Sequence, residues 1–234
     1  MPLGGGFGSG LGIIATPLVA LAVPTPQAAA IMLPILLVMD ATGLVAYRGT
    51  FLRANLGLLL AGGVVGIGLG ALTFRFFSEA MIRAMLGAMA LAFVAHQIRA
   101  GGTSAPAVTP SRAKGFFWST LSGLASTIAH AGGPPLSVYL LPQKLDKAIL
   151  VGTTVIFFAV INAVKLVPYA WLGLFDSQNL LTSLVLAPLA PVGIVLGVWL
   201  MRRLSQEIFY RVAYAMLTLV GMKLLWDGVR GLAA

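Results

Sequence analysis

A chain of 234 residues that is 59% hydrophobic and only 9% charged, with a mean hydropathy of +0.99, is too apolar for a water-soluble domain and is expected in a lipid bilayer. The absence of cysteine excludes disulfides and thiolate metal sites, and two histidines among scattered acids argue against a catalytic metal, so no cofactor is expected. The net charge of +9 comes from basic residues spread between apolar segments, which suits cytoplasmic loops and an anionic leaflet and not a nucleic-acid patch.

Apolar stretches near 3–23, 28–47, 55–74, 80–98, 115–141, 148–170, 179–200 and 207–229 each approach the roughly 20 residues a spanning helix needs. They predict an all-α, polytopic helical membrane protein. The N-terminus lacks a basic n-region, so insertion through the chain's own helices is expected and not a cleaved signal. The first stretch cannot be a regular helix. It reads Gly4-Gly5-Gly6-Phe7-Gly8-Ser9-Gly10-Leu11-Gly12, then Thr16-Pro17, then Val23-Pro24-Thr25-Pro26. Proline favours the first helical position, where its missing N–H would be unpaired anyway, so a half-helix is predicted to begin at Pro17 with Thr16 as cap.

In the second stretch Asp40 lies about 12 residues deep, where an ionised carboxylate is expensive unless paired or facing water. It reads either as a proton or cation coupling group or as a structural carboxylate bonded to a neighbouring helix. Gly62, Gly66 and Gly70 in the third stretch are spaced by four, as are Gly193 and Gly197 in the seventh, the small-residue pattern of close membrane-helix packing. His96 and the tryptophans Trp118, Trp171, Trp199 and Trp226 read as interfacial residues.

The most polar connector runs from Arg99 to Lys114. It divides the chain into an N-terminal repeat (1–100), a connector (101–113) and a C-terminal repeat (114–234). The fifth stretch, from Ser122-Gly123 through Ser126-Thr127-Ile128-Ala129-His130-Ala131-Gly132-Gly133-Pro134-Pro135, is broken like the first, and a second half-helix is predicted to start at Pro134 or Pro135. N-terminal N–H groups there, at the positive end of the helix dipole, would hold an anion without a buried lysine, and the glycines let backbone approach it closely. His130 reads as an anion donor or as a satisfied structural histidine. In the sixth stretch Asn162 and Lys165 lie on neighbouring turns, and Lys165 reads as an anion attractor or as a side chain snorkelling to the interface.

Internal similarity supports the division. Ala30-Ile31-Met32 matches Ala148-Ile149-Leu150, and the same offset sets Pro17-Leu18 on Pro135-Leu136. Further on, Gly66, Ile67, Leu69, Gly70, Arg75 and Ser78 recur as Gly193, Ile194, Leu196, Gly197, Arg202 and Ser205. If all eight stretches crossed, basic residues would fall almost equally on both sides. If the first and fifth dip in and return, Arg48, Arg53, Arg99, Arg112, Lys114, Lys144, Lys147, Arg202, Arg203 and Arg211 share one side against Arg75, Arg83 and Arg230. Each half then contributes three crossings after a broken or re-entrant first segment, so the two structural repeats are expected to be inverted, a common transporter plan.

The Gly-rich turn before Thr16-Pro17-Leu18, Gln27-Ala28-Ala29-Ala30, the run from Ser122-Gly123 to Pro134-Pro135-Leu136 and the Leu145-Asp146-Lys147 turn together resemble the sulfite exporter family, TauE/SafE. The likeness spans nearly the whole chain. Members usually have a longer apolar lead, whereas Met1 here aligns with Ser119, so counterparts of Phe116, Phe117 and Trp118 are missing. The resemblance implies a multi-pass carrier of sulfite, sulfonates or related organosulfur anions in a bacterial inner membrane.

The sequence thus predicts a secondary anion transporter, not an enzyme, working by alternating access and exporting its substrate. Substrate-binding candidates are Gly8, Ser9, Thr16, Pro17, Ser126, Thr127, His130, Gly132, Gly133, Pro134, Asn162 and Lys165, with Asp40 for coupling. The expected partners are a small anion and membrane lipid, with room for a coupling proton or cation and for a homo-oligomer. A passive anion channel is the alternative, and Ser126 or Ser137 beside His130 leaves an intramembrane hydrolase as a further one.

Overall fold

The computed structural model describes residues 25–73, 78–99 and 106–233. The expected first broken segment, with Gly8, Ser9, Thr16 and Pro17, lies outside them. Every regular element described is helical: α1 (Thr25–Ala46), α2 (Arg53–Thr73), α3 (Glu79–Arg99), α4 (Arg112–Ala129), α5 (Gly133–Leu140), a 3-10 turn (Leu141–Gln143), α6 (Lys147–Trp171), α7 (Ser177–Leu186), α8 (Leu189–Arg203) and α9 (Gln206–Ala233). The second to eighth apolar stretches each appear as one helix or a pair. By length and composition, Gln27–Ala46 of α1, together with α2, α6 and α9, can cross a bilayer, and the bent pair α7–α8 makes a fifth span if taken as one. Outward side chains such as Val45, Leu72, Met85, Val167, Leu184 and Val185 are apolar, as a lipid-facing surface requires.

Two compact units form, each drawing on separated stretches of chain: Met1–Leu60 with Ala148–Leu204, and Ala61–Lys147 with Ser205–Ala234. In the first, α1 packs on α7 and α8, where Ile31, Met32, Ile35 and Ala190 are buried together and the Ser183 hydroxyl donates to the Ile31 carbonyl at 2.8 Å. The start of α1 is tied down by Gln27, which donates to Asn179 Oδ1 (2.9 Å), while Asn179 donates in turn to Asp176, the N-cap of α7. Helices α1 and α6 run in opposite senses: Asp40 meets Asn162, Gly43 lies against Val155, and the chain after α1 returns to Gly152 and Thr153.

At that return Gly152 lies against the Thr50 carbonyl, leaving no room for a Cβ, and the Leu52 N–H donates to Thr153 Oγ1 at 2.9 Å. Gly152→Ala is therefore expected to lower stability by about 1–3 kcal/mol, the usual range for overpacking, as a drop in melting temperature in detergent. An unchanged melting temperature would show that the loop is not held there.

The expected regular helix over 179–200 is two helices, bent by 42° between α7 and α8. Pro188 sits at the break, and its missing N–H withdraws a ladder bond. The chain continues through a tighter turn, with Ala187 N–H bonded to Ser183 and Ala190 N–H to Ala187.

In the second unit α3 and α9 also run in opposite senses. Gly228 lies against Ala80 and Ala84, Gly87 against Gly221 and Leu225, and Gln97 Nε2 donates to the Tyr214 hydroxyl at 3.2 Å. Membrane helices gain little from hydrophobic burial against one another, so such backbone-close contacts carry the packing. The packing expected of Gly62, Gly66 and Gly70 is present: all three lie against α4, at Ser119, Thr120 and Thr127 respectively. Gly193 meets no described atom within 4 Å.

Candidate functional site

The predicted site residues fall into two groups, one in each unit. In the second unit the break comes where the glycines and prolines place it. Ser111 caps α4, and the helix ends at His130, which adopts the left-handed conformation (φ 49°) and returns its N–H to the Ser126 carbonyl at 3.2 Å. A left-handed non-glycine residue costs about 1–3 kcal/mol, so the surroundings hold His130 there. Helix α5 begins at Gly133, with Pro134 and Pro135 in its first turn.

The two helices then fold back on each other. Gly115 near the start of α4 faces the Tyr139 ring near the end of α5, Ser122 Oγ donates to the Gly132 carbonyl at 2.7 Å, and the Val108 N–H donates to the Pro142 carbonyl at 2.9 Å. The two ends of the stretch therefore lie together. Its turn buries Ser126, Thr127, His130, Gly132, Gly133 and Pro134. Because the two prolines have no N–H, Gly132 and Gly133 hold the amide donors of the α5 start, at the positive end of its dipole. The Thr127 hydroxyl proton goes to the Gly123 carbonyl (2.9 Å), and its methyl side packs on Gly70, while Ser126 and His130 are buried at the same turn.

In the first unit Asp40, Asn162 and Lys165 come together. Asn162 Nδ2 donates to Asp40 Oδ2 at 2.7 Å, and the Lys165 ammonium, one turn further along α6, interacts electrostatically with the Asp40 carboxylate. Lys165 is 0% exposed, which overturns the snorkelling reading: its charge is met inside the unit and not at the interface. The hydrogen bond from Asn162 ties Asp40 to a neighbouring helix.

Sequence reasoning missed two supporting sets. Ser122, which ties the break to α4, has no local signature beyond a serine in a Gly-rich run. The Leu145-Asp146-Lys147 turn is a clamp: Leu145 O accepts from Gln206 Nε2 (3.0 Å) and the Tyr210 hydroxyl (2.8 Å), and Lys147 N–H donates to Gln206 Oε1 (3.1 Å). Beside it Lys144 stands over the Tyr210 ring at 5.6 Å, and partial burial pushes its ammonium below the ordinary lysine range. Removing one bond, as in Tyr210→Phe, is expected to cost about 1 kcal/mol, read as a lower melting temperature in detergent, and no change would mean that water replaces it.

No curated protein and no solved structure matches this chain. The family description "Sulfite exporter TauE/SafE" matches residues 3–224, nearly the whole length. With several apolar helices long enough to span a bilayer, the chain is a multi-pass membrane protein and belongs to the TauE/SafE sulfite exporter family of membrane transporters.

Proposed function

We propose that this protein is a secondary transporter that exports small sulfur-containing anions, sulfite or a sulfonate, across a bacterial inner membrane by alternating access of two inverted repeats. The observation that carries the reading is the α4–α5 hairpin, whose turn gathers buried Ser126, His130 and the amides of Gly132 and Gly133 at a helix start. Paired, Gly/Pro-interrupted segments are the usual sequence mark of a transport site, and the internal match sets Pro17-Leu18 of the first such segment on Pro135-Leu136 of the second. Inversion is supported by helices in corresponding repeat positions: α1 runs against α6, and α3 against α9. A re-entrant fifth segment is supported by the meeting of Val108 with Pro142.

The chain has no native cysteine, so single cysteines report topology cleanly. Val108→Cys and Asp146→Cys are expected to react with an impermeant maleimide from the same side of the membrane, and Ser78→Cys and Ser177→Cys from the other. Labelling of Val108→Cys and Asp146→Cys from opposite sides would mean that the fifth segment crosses, and the halves would not be inverted. Function itself is tested by uptake of a panel of oxyanions into proteoliposomes, with and without a pH gradient. Saturable flux of sulfite or a sulfonate is expected. Flux that never saturates would make the protein a channel.

A further inference from the structure

Asp40 is the only charged residue of α1, and Lys165 the only one inside α6 beyond its first residue, Lys147. Helix α7 carries no titratable group, α8 has only Arg202 and Arg203 at its last two positions, and Tyr169 is the remaining titratable side chain on α6. Arg48, Arg53 and Asp176 belong to the connections at the helix ends. The buried ammonium therefore has one carboxylate as counter-charge within the spanning part of this unit, and that carboxylate is aimed at α6 by the 2.7 Å bond from Asn162. A fully buried cation needs a partner at every stage of a cycle.

We propose that Lys165 exchanges counter-ions during transport: Asp40 neutralises it in the empty protein, and a substrate anion replaces Asp40 when the carboxylate takes up a proton. This rests on the transport reading above and adds to the anion position at the α5 start a second one, at Lys165. The charge balance is closed at each step. Empty, the pair holds one positive and one negative charge; loaded, the ammonium faces the anion while neutral Asp40 keeps its bond to Asn162. One proton thus accompanies each monovalent anion, and the loaded cluster carries no net charge. Asn162 is a positioning residue, holding the carboxyl group in both states.

The test uses purified protein in proteoliposomes, with methanesulfonate, whose sulfonate does not titrate, and in parallel with sulfite in alkaline buffer, where it is almost wholly dianionic. Internal pH and anion flux are read together. The wild type is expected to carry one proton per anion, so methanesulfonate flux responds little to an imposed membrane potential. Asp40→Asn should move anion more slowly, without protons, and with a rate that follows the potential. Lys165→Gln should lose saturable flux. Asn162→Ala should keep the proton count but shift the pH of half-maximal rate. Wild-type flux without proton movement, or proton movement that survives Asp40→Asn, would overturn the exchange while leaving the transport reading intact. If Asp40→Asn fails to insert, Asp40→Glu should retain one proton per anion with an altered pH profile, and an unaltered profile counts against the proposal. Absence of flux for every anion in the wild type would remove both readings.

Discussion

Replacing Gly133 by leucine is expected to reduce anion flux to the level of empty liposomes while the protein still inserts and folds. Gly133 is the first residue of α5, and with Gly132 it supplies the amide donors that two following prolines cannot. Hydrogen bonds to a charged ligand contribute about 1.5–3 kcal/mol each, so losing the pair would cost at least about a hundredfold in binding. Leucine keeps the backbone N–H of residue 133, but its side chain would occupy the place into which the anion must come and so hold the anion off both amides. His130→Gly is the informative companion. Glycine adopts the left-handed conformation of residue 130 without strain, so this variant removes the imidazole while the backbone of the turn can keep its course. Unchanged flux in Gly133→Leu would mean that the anion binds elsewhere.

The second large effect concerns stability. Lys165→Met removes the counter-charge of Asp40 and should destabilise the protein by about 3–5 kcal/mol, the usual cost of leaving one member of a buried pair alone. Removing both charges, Asp40→Leu with Lys165→Met, should recover most of that loss, because a well-packed apolar pair is often as stable as a buried ion pair. Thermal melting in detergent of the wild type, both single variants and the double variant closes the cycle. Strictly additive losses would show that the two residues do not act as a pair.

What the sequence announces and what it conceals are separable here on physical grounds. The break in the fifth stretch is written locally, because Gly132-Gly133-Pro134-Pro135 removes both the side chains and the amides a continuous helix would use. The bend at Pro188 is written in the same alphabet yet is not legible, since Pro34 and Pro168 sit inside α1 and α6 without ending them. In a membrane helix, neighbouring elements decide whether a lost amide bond breaks the chain direction, and a window of sequence does not contain those neighbours. The fate of Lys165 is hidden for the same reason. Its partner Asp40 comes from a distant part of the chain, and only the antiparallel packing of α1 on α6 brings the two together. The matched residues that suggest a repeat are local in sequence, and they set α1 beside α6 and α3 beside α9 as the helices to compare.

Counterflow separates a sulfur-oxyanion carrier from a pore. Proteoliposomes are loaded with excess unlabelled sulfite and diluted into a trace of sulfur-35 sulfite, with no ion gradient imposed. A carrier that alternates access must exchange one for the other, so transient accumulation of label above equilibrium is predicted, and Gly133→Leu should abolish it. Label that merely equilibrates, at a rate proportional to concentration, would make the protein a passive pore and not a carrier.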